Sequence, residues 1–136
     1  MIQIISGKKG SGKTKRIIDL ANHSIKDSKS DVLFIDDDNR YMFDLRHEVR
    51  FINAGEYGIL GPEMFLGFLC GMLAQNFDVG TIFIDAFLKL VKADLSQMQW
   101  FFERMEGLCD RHGVAFVLSV SEDPELLPEY IRKYII

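Results

Sequence analysis

The chain has 136 residues, one domain's worth at roughly 100–200 residues per domain, and at 48% hydrophobic and 26% charged it is too apolar to stay disordered. Its longest nearly apolar stretch, Met64–Ala74, falls short of the ~20 residues a membrane-spanning helix needs, so no membrane insertion is expected. The net charge of −4 argues against broad nucleic-acid or anionic-membrane binding, and no basic region precedes an apolar run at the N-terminus. Together with two cysteines, Cys70 and Cys109, set in apolar helical patterns, these properties imply a cytoplasmic single domain over 1–136 with reduced thiols.

The first apolar run, Ile2–Ile5, is too short for a helix and suits a buried strand ending at Ser6-Gly7. Ile17, Ile18, Ala21 and Ile25 recur at helical spacing, which predicts an amphipathic helix over Lys13–Asp27. Val32–Ile35 reads as a second strand, stopped by Asp36-Asp37-Asp38-Asn39, and Val49–Ile52 as a weaker third. Gly61-Pro62-Glu63 opens a helix running through Asn76, with Pro in the first turn. That helix is apolar on most sides, with Gly67 and Gly71 four apart. Its Met64–Ala74 segment serves the core, an acceptor pocket, or contact with a protein partner or a second copy.

Thr81–Ile84 is the next strand, closed by Asp85. Ser96-x-x-Gln99 has the spacing of a capping box, opening a helix with Phe101, Met105, Leu108 and Cys109 as its core stripe and Gly113 as its terminator. Val114–Val120 is the last strand, and the tail from Pro124 predicts a short docking helix through Leu127, Tyr130, Ile131 and Tyr134. Buried strands alternating with helices make an α/β fold, a mostly parallel sheet flanked by helices on both faces. Sites in such sheets lie beyond the carboxyl ends of the strands, here Gly7, Asp36–Asp38, Asp85 and Ser119–Ser121.

One motif carries chemistry. Gly7-Lys8-Lys9-Gly10-Ser11-Gly12-Lys13-Thr14 fits G-x-x-x-x-G-K-[ST], directly after a predicted strand and directly before a predicted helix. The glycines let backbone N–H groups turn inward as a nest for phosphate oxygens, and the helix start adds its unsatisfied donors. Lys13 brings a point charge to the β- and γ-phosphates, and the Thr14 hydroxyl is a hard oxygen ligand for Mg²⁺. Lys8 and Lys9 add positive potential around the same place.

On this motif the chain resembles the P-loop NTPase superfamily, specifically over Ile2–Asp27 and loosely over the remaining α/β plan. The resemblance implies ATP and Mg²⁺ as ligands and a RecA-like core. It also implies that Thr81-Ile82-Phe83-Ile84-Asp85 is the second motif of that superfamily, with Asp85 in the metal shell. Many members place a catalytic glutamate directly after this aspartate; here the residue is Ala86. RecA-like and twitching-motility branches carry the acid at the end of the second strand, which is Asp36-Asp37-Asp38 in this chain. These three read either as an exposed, solvated turn or as the source of a water-orienting carboxylate, Asp36 or Asp37.

Asp38-Asn39-Arg40-Tyr41 also resembles a segment of thymidine-kinase-like proteins, but Ala86 and the absence of their zinc-binding cysteines depart from that pattern. Arg40 is then a surface ion-pairing residue or a phosphate contact, and Ser119 or Ser121 a strand-ending serine or a γ-phosphate sensor. His23, His47 and His112 show no ligand spacing, and Trp100 packs beside Phe101 and Phe102. No guanine-reading Asn-Lys-x-Asp segment occurs, which favours ATP. The chain resembles small bacterial ATP-binding proteins labelled by analogy to twitching-motility ATPases, a label that fits the nucleotide site and not the motor. Three functions are consistent with the resemblance: a slow or partner-activated ATPase, a nucleotide-dependent switch or adaptor, and a small-molecule kinase.

Overall fold

Five short runs of β-branched and aromatic residues form one sheet in which every neighbouring pair is parallel. They are β1 (Ile2–Gly7), β2 (Asp31–Asp36), β3 (Val49–Asn53), β4 (Val79–Ile84) and β5 (Ala115–Ser121), in the order β1-β5-β4-β2-β3. This computed structural model describes residues 1–26 and 29–136. Placing β5 between β1 and β4 is the RecA-like arrangement, and it brings all the strand ends that carry polar residues to one edge of the sheet.

Because side chains alternate along a strand, each strand serves two cores. Ile4, Leu33, Ile35, Ile82, Ile84, Phe116 and Leu118 face one side, covered by α2 (Gly61–Gln75), α3 (Phe87–Val91) and α4 (Gln99–His112). Ile5, Val32, Phe34, Phe83 and Val117 face the other, covered by α1 (Lys13–Ser24) through Ile17, Ile18 and Ala21. The α/β fold with helices on both faces is therefore realised with a sheet that is wholly parallel. No helix among the described residues is long and apolar enough to cross a membrane.

Several local expectations change. The helix predicted to Asp27 stops at Ser24, whose hydroxyl donates to the Ala21 carbonyl at 2.8 Å and competes with the helical ladder; Asp27 itself lies outside the described residues. The Ser96/Gln99 capping box does not form. Instead the Asp94 carboxylate accepts from the Ser96 N–H at 3.0 Å, Leu95–Gln97 makes a 3-10 turn, and α4 begins without a side-chain cap. The tail is two 3-10 turns, Pro124–Leu126 and Glu129–Tyr134, because Pro128 between them has no N–H to continue a ladder. Leu127, Ile131 and Tyr134 still dock into the core.

Helix α2 buries Phe65, Leu66, Leu69 and Leu73, while Met64, Gly67, Gly71 and Ala74 of the same segment are exposed. Cys109 is buried and Cys70 half-buried, both as free thiols.

Candidate functional site

The carboxyl ends of β1, β2, β4 and β5 surround a cavity of about 520 Å³ whose wall includes Lys9, Gly10, Gly12, Lys13 and Thr14. The residues between β1 and α1 turn tightly, with the Ser11 N–H donating to the Lys8 carbonyl at 3.1 Å. Gly10 and Gly12 sit at φ +82° and +89°, conformations in which an L side chain costs roughly 1–2 kcal/mol. Those two glycines are what allow the chain to wrap back and launch α1 at Lys13.

Lys13 is buried, 8% exposed, and its ammonium donates to the Lys8 carbonyl at 3.0 Å and to Ser11 Oγ at 3.5 Å. Burial holds its pKa below the ordinary lysine value, partly offset by the negative charge of Asp85. The desolvated ammonium thus rests on one loop carbonyl and one loop hydroxyl, both neutral. Lys8 points away instead, pairing with Asp123 at 3.6 Å, and Gly7 continues the ladder opposite Ser121.

Asp85, at the end of β4, is buried and fully engaged. Its Oδ2 accepts from the Thr14 hydroxyl at 3.0 Å, its Oδ1 accepts from the Ser119 hydroxyl, and Ser119 Oγ in turn accepts from the Ala86 N–H at 3.1 Å. Ser119 is thus committed to orienting Asp85, and Ser121 is the exposed serine on the cavity wall. The Thr14–Asp85 pair is a set of hard oxygen donors and fits Mg²⁺ in kind, a cation that keeps most of its waters and takes one or two protein oxygens.

Asp36 departs from the exposed turn anticipated for the acidic run. Asp36 is still the last residue of β2, opposite Asn53 in the ladder, and only 2% exposed. Its Oδ1 accepts from the Asp37 N–H at 2.7 Å, while its Oδ2 is buried without a partner among the described residues. Burial, with contributions from the Asp37 side chain and the charge of Asp85, pushes its pKa up to about 8. Asp37 and Asp38 are half-buried on the cavity wall. Arg40 is exposed, pairs with Asp38 at 3.5 Å and lies 5.7 Å from the Tyr41 ring centroid.

The raised carboxyl has a consequence for stability. The folded state binds the Asp36 proton more tightly than the unfolded chain, so that contribution is intact below about pH 4 and is lost as pH rises through about 8. Asp36→Asn should remove this dependence and leave the variant more stable than wild type by about 1–3 kcal/mol at pH 8, with a smaller gap at pH 5, in urea unfolding at both pH values.

The cavity wall also includes residues that no sequence motif marks: Lys15 on α1, and Leu88 and Lys89 on α3. Helix α3 has five residues and no period long enough to read, so nothing in the sequence marked its exposed face. The three histidines are exposed, and Trp100 packs edge-on against Phe101 with ring centroids 5.8 Å apart.

No protein-family model matches the sequence, and no curated protein matches it. Among solved structures the chain is similar to the flagellar accessory protein FlaH from Methanocaldococcus jannaschii, with a TM-score of 0.57 and 17% identity over 97% of this chain. The chain spans 65% of the length of that structure, and a likeness at this identity carries the α/β, RecA-like fold alone.

Proposed function

We propose that this protein binds MgATP as a P-loop nucleotide-binding protein and hydrolyses it slowly unless a partner or neighbouring subunit completes the site. The observation that carries this reading is the buried Lys13 ammonium held on the carbonyl of Lys8 inside the Gly7–Thr14 loop, with Thr14 bonded to Asp85 beside it. Among the described residues this desolvated lysine has no ion-paired carboxylate, and it stands at the start of α1, where the first helical N–H groups are unsatisfied; both features support a site for phosphate.

In this reading the loop N–H groups and Lys13 hold the β- and γ-phosphates. Thr14 and Asp85 would hold Mg²⁺, which would supply positive charge to the phosphate oxygens. Ser119 keeps the Asp85 carboxylate turned toward Thr14. For hydrolysis, the oxygen of a water bonds to the γ-phosphorus as the bond to the β,γ-bridging oxygen breaks, and the electron pair stays on ADP. We assign the water's proton to Asp37, which opens on the cavity, with the neutral Asp36 carboxyl supporting it from behind.

A second reading, a nucleotide switch without appreciable turnover, is favoured by Ala86, which stands where a base is often found. Product analysis with γ-labelled ATP separates the outcomes. Labelled phosphate supports the ATPase, bound but intact ATP supports the switch, and label on a small-molecule acceptor supports the kinase. Lack of binding contradicts the nucleotide reading itself.

A further inference from the structure

The geometry points to Lys89 as a γ-phosphate-contacting cation, supplied by this chain itself from the wall of the cavity formed by α3. This rests on the nucleotide reading and adds to it a residue outside both motifs. Five cationic side chains, Lys9, Lys13, Lys15, Arg40 and Lys89, open on the cavity. Lys13 is held by loop oxygens, Lys15 pairs with Asp19 at 3.2 Å, Arg40 pairs with Asp38, and Lys9 rides on the phosphate loop. Among the described residues neither Lys9 nor Lys89 has an ion-pair or side-chain hydrogen-bond partner, and of the two Lys89 is the one that stands off the Gly7–Thr14 loop, on the helix that follows Asp85.

Its direction is fixed by packing. Phe87, Leu90 and Val91 are buried at 0%, 4% and 0% exposure, with Phe87 in edge or tilted contact with Phe65, Phe101 and Phe102. Burial of those three positions turns Leu88 and Lys89 toward the cavity. The turn into α3 is made by Ala86 at φ +57°, a left-handed conformation that alanine rarely adopts. The Ser119 hydroxyl accepts its N–H, so the group that orients Asp85 also anchors the start of α3. Strain of this kind persists where the surroundings over-determine it, and at functional sites it is part of pre-organisation. Here it carries the chain from Asp85 to Lys89 in little more than one helical turn, with the Lys89 N–H donating to the Ala86 carbonyl at 3.0 Å.

A γ-phosphate beyond Lys13 would then meet a second cation that a diphosphate would not reach. The test is the preference for a triphosphate over a diphosphate, measured by calorimetric titration of the full chain with Mg–ATPγS and MgADP. Lys89→Ala is expected to lose roughly tenfold or more of the wild-type preference for Mg–ATPγS, the scale of a hydrogen bond to a charged group, while Lys89→Arg keeps it. MgADP affinity should stay within about twofold in both variants, as for an exposed substitution away from the diphosphate contacts. Full preference retained in Lys89→Ala, or no preference in wild type, overturns the assignment while MgADP binding leaves the nucleotide reading standing. Binding of neither nucleotide by wild type overturns both.

Discussion

Lys13→Ala is expected to weaken MgATP binding by roughly 30- to 5,000-fold, the range for removing one partner from a desolvated charge contact. The size of the loss follows from where the ammonium sits. Lys13 is 8% exposed, so bulk water screens it poorly, and its present partners are neutral oxygens of Lys8 and Ser11. Replacing those neutral acceptors by phosphate oxygens is the gain that alanine forfeits. The fold should survive, because the substitution also removes a charge whose burial already depresses its pKa. Unchanged far-ultraviolet circular dichroism with lost binding in equilibrium titration is the expected pair of results. Equal affinity in variant and wild type would remove the loop from the site.

Asp37→Asn is expected to lower single-turnover phosphate release by ~10²–10⁴-fold with MgADP affinity preserved, the usual worth of a positioned general base. Asp36→Asn should lower it less, since the neutral Asp36 carboxyl is assigned a supporting part and an amide can still donate a hydrogen bond. The wild-type rate should itself be low. An arginine supplied in trans is worth ~10³–10⁵-fold in related chemistry, and an isolated chain has none. Ordinary turnover by the isolated protein, unaffected by either substitution, would place the base elsewhere.

How much of this was legible in the sequence depends on the length scale of each signal. The strands were readable because runs such as Val32–Ile35 and Val114–Val120 are apolar on both faces, as a sheet covered on both sides requires. The loop from Gly7 to Thr14 was readable because its glycines and its lysine are fixed by spacing alone. What the sequence hides are features decided by neighbours distant in the chain, or by a local competitor of equal strength. Asp36 looked like part of a solvated acidic turn, yet pairing of β2 with β3 through Asn53 holds it inside the sheet. Ser96 lost its capping role to Asp94, two residues upstream, an equally good local competitor. The cavity wall at Lys89 was invisible because its direction is set by Phe65, Phe101 and Phe102, all remote from it in the chain.

The most direct test of the nucleotide reading is a crystal structure of the protein with Mg²⁺ and a non-hydrolysable ATP analogue. The β-phosphate is expected inside the Gly7–Thr14 loop, with the Lys13 ammonium moved from the Lys8 carbonyl onto phosphate oxygens. The metal is expected between Thr14 and Asp85, in place of their present 3.0 Å hydrogen bond. A nucleotide bound elsewhere, with Lys13 still on the Lys8 carbonyl and Thr14 still on Asp85, would contradict that reading.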